Sequence, residues 1–590
     1  MPPPKTTVFA LFSLAMGTAM VFAADLSPAK WPPDEKALAE RLELSVFPSK
    51  AQIVEGRSAL VAATLSPIAV RAGIESLKQG GTAADAAATI ALTQVATALG
   101  SYVSYAGILQ LVYYDSETRK VYSLDAGWNS YLAETAPKTI PANDMGLIGA
   151  APATQGAEGR KTLVPGFMAG IEAIEKRFGR LPFASLLQPT IWYAENGVTV
   201  SPLLGNYFAS REKYLARTPE GRKFLHQGGE HVPKVGDRFV QTDLAQTLRS
   251  VAEDGAQYMY TGAWGRQFVE AVRQEGGHAA VEDMRRYRPV WEEPRSTGFL
   301  GHSVFAPAGS NEGGRQILEA LNLIEEMKID RAEPYFKDWK AFRDLSTLLQ
   351  FVEYGPYAPP AAAEFQRQNG LHFSPEDRIT KAYARAMAPL LQRDPPRHSD
   401  AIVVVDRWGN IAALVHSINT VTWGTTGIVV GGIPIPDPAG FQQWRLADIQ
   451  PGDRVPNDMA PVIAMRGEKP VLAVATVGSS LIAETARILL ATLGNRLDLQ
   501  AAMEAPPLLY NFRPPKGGET GILRTQFVPE TAYDADFLHN LEASGVSIER
   551  KSRLEVLTIK GTAVVGAVDV GTGAWRSVET PALFGFAAAY

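Results

Sequence analysis

The chain has 590 residues, a length that calls for several domains or for one large α/β unit built from two parts. With 46% hydrophobic and 20% charged residues and a net charge of −5, the composition is that of a globular protein, and with no Lys/Arg run it argues against nucleic acid as a partner. The absence of cysteine removes a catalytic thiol, a cysteine zinc site and any disulfide, and the eight histidines form no H-E-x-x-H pair. A hydrolase of this composition must work with Ser, Thr or carboxylates, and neither a metal nor a cofactor is implied.

In chain order, Lys5 is the only charge before Asp25, Val8 to Val21 is apolar, and Val21-Phe22-Ala23 carries small residues at a signal-peptidase site. Residues 1–23 therefore read as a secretory signal, which predicts a periplasmic or secreted protein. The apolar run is shorter than the roughly 20 residues of a spanning helix, and no later segment is apolar enough, so no stable membrane insertion is expected. Pro28 to Pro48 reads as a Pro-rich lead-in. Ser66 to Leu77 and Thr82 to Ala98 read as helices, the second with Thr82 as N-cap and Asp85 in its first turn. Gly107 to Asp115 and Lys120 to Asp125 read as a hairpin around a polar turn. Leu163 to about Val290 is mainly helical, Thr297 to Phe305 is a strand, and Arg315 to Met327 opens a second helical stretch that runs to about Leu391.

Arg393-Asp394-Pro395-Pro396-Arg397-His398 cannot form regular structure and reads as an exposed linker. Strands then follow at Ala401 to Asp406, Ile411 to Ile418, Gly427 to Val430, Val462 to Met465 and Val471 to Thr476, with a helix at Ser479 to Leu493. Val546 to Glu549, Leu554 to Lys560, Ala563 to Asp569 and Trp575 to Val578 close the chain in β structure. Strands at both ends and helices between them predict two antiparallel sheets sandwiched by helices.

Several segments resemble the gamma-glutamyltransferases, a branch of the N-terminal nucleophile hydrolases. These are Gly80-Gly81-Thr82-Ala83-Ala84-Asp85-Ala86-Ala87, Leu124-Asp125 followed by Glu134-Thr135-Ala136-Pro137, Val164-Pro165-Gly166, Phe178-Gly179-Arg180-Leu181-Pro182, Tyr260-Thr261-Gly262, Gly313-Gly314, Val404-Val405-Asp406 with Gly409-Asn410, and Ser417-Ile418-Asn419. The resemblance implies an α+β fold: a four-layer αββα sandwich made from a large N-terminal and a small C-terminal subunit of one precursor. It divides the chain into a signal (1–23), a large-subunit region (24–398) and a small-subunit region (399–590). The family's threonine nucleophile, counted back from Asp406, falls on Ser399, so cleavage is expected between His398 and Ser399.

A hydroxyl needs a base, and an N-terminal residue carries its own α-amine, with an ordinary pKa of about 7.7–8.0. The resemblance further implies that Ser417 hydrogen-bonds the nucleophile, that Asn419 orients the amine or the substrate, and that Gly478 and Ser479 supply the oxyanion hole. His398 and His416 flank the site and read as surface or packed histidines, and Asp85 as a helix-start residue. Departures cluster where the family holds glutamate. The arginine after L-D is missing, since Asp125 precedes Ala126-Gly127-Trp128. The adjacent serines are Asn457 and Asp458, and the nearest acid for a substrate amine is Asp437. Arginine is the usual bidentate partner of a carboxylate. Its loss, together with Tyr105 and Trp128, predicts a more apolar acyl pocket and a small-molecule amide or peptide-like substrate other than a γ-glutamyl compound. A non-catalytic, ligand-binding relative that keeps the fold without cleavage is the alternative, and hydrolysis is not separated from acyl transfer.

Overall fold

A computed structural model describes residues 24–44, 53–64, 66–143, 157–354, 367–368, 370–390, 400–420, 422–478, 480–510, 525–552, 555–556, 562–568, 574–579 and 585–589. The signal segment, the linker 393–398 and most of the strand expected at 554–560 lie outside these residues.

Two seven-stranded antiparallel sheets organise the chain. Their strands are β1 (Ile53–Gly56), β2 (Leu60–Thr64), β3 (Ile108–Asp115), β4 (Lys120–Ala126), β5 (Val290–Glu292), β6 (Arg295–Phe299), β7 (His302–Ala306), β8 (Asp400–Val405), β9 (Ile411–Ser417), β10 (Val462–Arg466), β11 (Lys469–Val477), β12 (Thr562–Val568), β13 (Trp575–Glu579) and β14 (Gly585–Ala589). One sheet runs β1-β13-β12-β11-β10-β7-β6, the other β14-β2-β8-β9-β3-β4-β5. Both sheets contain strands from before and from after residue 399, so neither part of the chain owns a sheet.

Successive strand side chains point to opposite faces, and here both faces are apolar. Ile402 and Val404 of β8 join one core cluster while Ala401, Val403 and Val405 join another. The first cluster lies under helices α1 (Pro67–Lys78), α2 (Ala83–Thr97) and α3 (Phe167–Phe178); the other lies between the sheets. On the far side of the β11 sheet, Val462, Ala464, Leu472 and Val474 meet α4 (Glu312–Glu326), α5 (Trp339–Tyr354) and α6 (Leu481–Leu489). The architecture is thus the expected αββα sandwich, with a core in each of its three interfaces.

Local chemistry explains the helix starts. Ser66 accepts the Ala69 N–H, and Thr82 with Asp85 forms a reciprocal capping box. Three expectations are corrected. The Pro-rich lead-in contains an 11-residue helix, Pro33–Glu43, because proline at the first helical position already has a helical φ and lacks only an N–H that would be unpaired there. The single strand at 297–305 is a hairpin, β6–β7, that turns at Leu300 (φ 49°) and Gly301 (φ 79°). The helix expected to Leu493 ends at Leu489 and continues as a π turn, Leu490–Gly494.

Candidate active site

The motifs that carried the resemblance hold the scaffold together. Asp406 accepts the N–H of Ala83 (2.8 Å) at the start of α2, the amide of Asn410 (2.8 Å), and the backbone N–H groups of Trp408 and Asn410. One carboxylate thus closes the β8–β9 turn and docks a helix on it. Asp85 accepts from Thr82 N (2.8 Å) and from Arg180 N (2.8 Å), which ties the Gly-Arg-Leu segment to the same helix start. A side chain at Gly166 would sit 2.1 Å from the Tyr287 hydroxyl and 2.2 Å from the Ala126 carbonyl, so only glycine fits between α3 and the end of β4.

These contacts set one edge of the facing sheets. There β8 begins, β9 and β4 end and β3 begins: Asp400 pairs with His416, Ser417 with Ile108, and Leu109 with Ala126. Ser399, His398 and Ser479 lie outside the described residues; Asp400, next in the chain to Ser399, opens β8, an interior strand of its sheet. Ser417 is 6% exposed, and its Oγ accepts the Asn419 N–H at 3.0 Å. Asn419 takes a left-handed backbone (φ 48°), a conformation asparagine tolerates better than most residues. On the other flank of β8, the Thr64 hydroxyl accepts the Ala401 N–H. Two residues on, Ser66 donates to Glu43, whose carboxyl burial raises to about 7.

The loop after Asn419 is cinched by Asp437. Fully buried, it accepts from the Thr420 hydroxyl (2.7 Å) and from the N–H and hydroxyl of Thr425 (2.7 and 2.6 Å). Asn143 donates to Thr420 and to the Asp437 carbonyl, and the buried Lys161, paired with Glu158 at 2.7 Å, donates to Thr425. Ser417, Asn419 and Asp437 are therefore brought onto one continuous segment.

Asn457, Asp458 and Trp128 form a neighbouring group. Asn457 Oδ1 accepts from Asn311 (2.8 Å) and from Met459 N (3.2 Å), and its carbonyl accepts Glu312 N at the start of α4. Its Nδ2, 3.3 Å from where a Gly127 side chain would begin, is buried with no partner among the described residues. Trp128 is 1% exposed, joined through its carbonyl to Val455 N, and its indole N–H is likewise buried without a partner among the described residues. Asp458 is held by both oxygens on Arg445 Nη2, each at 2.7 Å. Gly478 follows the end of β11, the edge at which β10 starts, with φ 104°.

Tyr105 stands apart. Its ring packs on Phe167, its hydroxyl donates to the Leu92 carbonyl (2.9 Å), and it is 2% exposed. Burial pushes its phenol up. His416 is a packed histidine: its Nε2 meets Gln94 Oε1 at 2.8 Å, and burial pushes its imidazole down to about 3.

Sequence reasoning missed Lys161, Arg445 and Arg454. Arg454 reaches the stretch where the family's arginine is missing, but it donates to Gly127 O (2.8 Å), Tyr287 Oη (2.9 Å) and Arg288 O (2.6 Å). Its charge is committed to holding the end of β4. Only the folded chain reveals what these cations meet: Lys161 and Arg454 reach segments hundreds of residues away and Arg445 a carboxylate 13 residues on, and no local motif announces them.

Among the described residues no cluster of His, Asp or Glu could hold a metal. Residues 69–574 match the gamma-glutamyltranspeptidase family. A glutathione hydrolase proenzyme of Bacillus subtilis (strain 168) is 24% identical over 510 residues, spanning 80% of this chain and 84% of that one. An acylase ACY 1 proenzyme of Pseudomonas sp. (strain V22) is 27% identical over 553 residues, spanning 88% and 92%. In fold, the chain resembles a cephalosporin acylase from Bacillus halodurans, with TM-score 0.75 over 92% of this chain and 98% of that one at 22% identity. The chain belongs to the gamma-glutamyltranspeptidase family and is an amide-hydrolysing or acyl-transferring enzyme of the N-terminal nucleophile hydrolase class.

Proposed function

We propose that this enzyme is an exported precursor that cuts itself between His398 and Ser399, and that the freed Ser399 attacks amides whose acyl group is not γ-glutamyl. One observation carries the reading. Asp400, next in the chain to Ser399 with Cα atoms about 3.8 Å apart, opens β8 opposite His416, the residue before Ser417, and this supports a Ser399 that meets Ser417. In this reading the Ser399 hydroxyl first attacks the His398 carbonyl, giving an ester that water hydrolyses. The liberated α-amine then takes the hydroxyl proton, Oγ bonds the substrate carbonyl carbon, and the leaving amine departs with that proton. Gly478 and Ser479 supply the oxyanion donors, each contributing about 2.7–4 kcal/mol. Water or an amine completes turnover.

The acyl preference follows from charge. Arg445 is committed to Asp458 and Arg454 to backbone carbonyls and Tyr287, while the Asp437 carboxylate already accepts from Thr420 and Thr425. Among these described groups neither pole of a glutamate has a free partner. The relative named as an acylase also spans more of the chain, at higher identity, than the glutathione hydrolase does. Export rests on residues 1–23; among the described residues no helix is long and apolar enough to cross a membrane.

Denaturing electrophoresis with N-terminal sequencing tests the cut. Two bands are expected, the smaller beginning at Ser399 and the larger at Ala24, with one uncut, inactive band for Ser399→Ala. A single uncut wild-type band that still binds ligand would favour the non-catalytic alternative. Faster turnover of γ-glutamyl-p-nitroanilide than of any acyl-amide in a panel would overturn the substrate reading alone.

A further inference from the structure

A cavity of about 820 Å³ opens at the end of the β10–β11 hairpin away from Asn457 and Gly478, lined by Leu300, His302, Asp330, Arg466, Thr492 and Arg496, among others. The β10–β11 hairpin links the two places. Val462 lies at the edge that carries Asn457 and Gly478, and Arg466 lies four residues further, about 13 Å along a strand.

The walls of this cavity are irregular in three ways. Leu300, at the β6–β7 turn, and Arg496 both have positive φ (49° and 55°), a backbone that branched and bulky side chains rarely adopt. Between α6 and Arg496 lies the π turn Leu490–Gly494, a rare form that is frequent at functional sites. Its Gly494 backs onto Leu300 and Asp330.

The polar groups are arranged for a ligand. Arg466 donates from Nε (3.2 Å) and Nη2 (3.0 Å) to Nε2 of His302, which is 6% exposed. Burial and the adjacent guanidinium hold His302 below the ordinary imidazole value, so it is a neutral acceptor that aims the arginine. No carboxylate pairs with Arg466 or Arg496 among the described residues. In the same lining, the Asp330 side chain is 9% exposed; its Oδ1 is buried with no hydrogen-bond partner among the described residues, and its other oxygen lies 3.9 Å from Arg331. A buried carboxylate left short of partners is costly, and guanidiniums are a carboxylate's preferred counterpart. Leu300 and Leu493 add an apolar wall.

We propose that this cavity is a ligand site for a zwitterion, an amino acid or short peptide. Its carboxylate lies on Arg466 and Arg496, its ammonium on Asp330 and its side chain against Leu300 and Leu493. The site is separate from the acyl-transfer centre and does not depend on the identity of the nucleophile.

The test is calorimetric titration of the full chain with leucine, with 4-methylpentanoate, which lacks the ammonium, and with 3-methylbutylamine, which lacks the carboxylate. Leucine should bind at least tenfold more tightly than either analogue. Arg496→Gln, on an exposed residue, should weaken leucine at least tenfold while leaving amide turnover within twofold of wild type. Asp330→Asn should abolish the preference for leucine over 4-methylpentanoate. If Asp330→Asn proves unstable, Arg466→Gln replaces it and should weaken leucine and 4-methylpentanoate alike. No leucine binding at millimolar concentration would overturn the proposal, as would binding that Arg496→Gln and Arg466→Gln leave intact, or equal affinity for leucine and 4-methylpentanoate.

Discussion

Replacing His416 by glutamine should flatten the acid side of this enzyme's stability curve. His416 is fully buried on β9 against Phe167, with Gln94 as its hydrogen-bond partner, and burial alone pushes its imidazole down to about 3. In the unfolded chain the same group titrates near 6.5. The folded value is the lower one and the folded form is neutral, so stability is fully present above pH 6.5 and falls as the unfolded chain takes up a proton below it. Each pH unit is worth up to about 1.4 kcal/mol, so between pH 6.5 and 4.5 the wild type should lose about 2 kcal/mol through this residue alone. Glutamine can still donate to Gln94 and cannot titrate. Urea unfolding of both proteins at the two pH values, in the same processing state and followed by tryptophan fluorescence, cancels the contribution of every other group. Equal losses in the two proteins would refute the argument.

Two further substitutions probe the frame of the site. Arg445→Met removes the guanidinium from which both oxygens of the mostly buried Asp458 accept and should cost about 3–5 kcal/mol in thermal or urea unfolding. Arg445→Met with Asp458→Leu should regain most of that loss, and a double variant no more stable than the single would contradict the ion-pair account. Gly166→Ala forces a Cβ against the Tyr287 hydroxyl and the Ala126 backbone, neither of which can withdraw, and should cost about 1–3 kcal/mol or more. An unchanged melting temperature would show that α3 can shift away from β4.

The sandwich was legible because its strands are buried on both faces and its helices announce their caps. Val403-Val404-Val405 and Ile411 to Val415 are unbroken apolar runs, and Thr82 with Asp85 signs its helix start in four residues. The β6–β7 turn was not legible, because Leu300 at positive φ violates the turn chemistry that marks a two-residue hairpin. At the site, the residues read from the motifs near Ser417 fall on one segment, but their surroundings could not be foreseen. Arg445 and Asp458 are 13 residues apart and meet only because a short helix folds back. Lys161 reaches Thr425 across more than 260 residues. Tyr105 looked like a pocket aromatic from its neighbours in sequence, yet the strand and helix around it turn it inward.

Interleaving of strands from either side of residue 399 bears on what a cut there would do. After such a cut, the strand beginning at Asp400 would still lie hydrogen-bonded between β2 and β9, and β14 would still close the sheet against β2. The two fragments would not be separable bodies that dock. They would stay joined through shared sheets, and pulling one free would dismantle both sheets. Cleavage would then change the chain's ends without loosening its architecture. Fragments synthesised apart would have to find each other before either could fold.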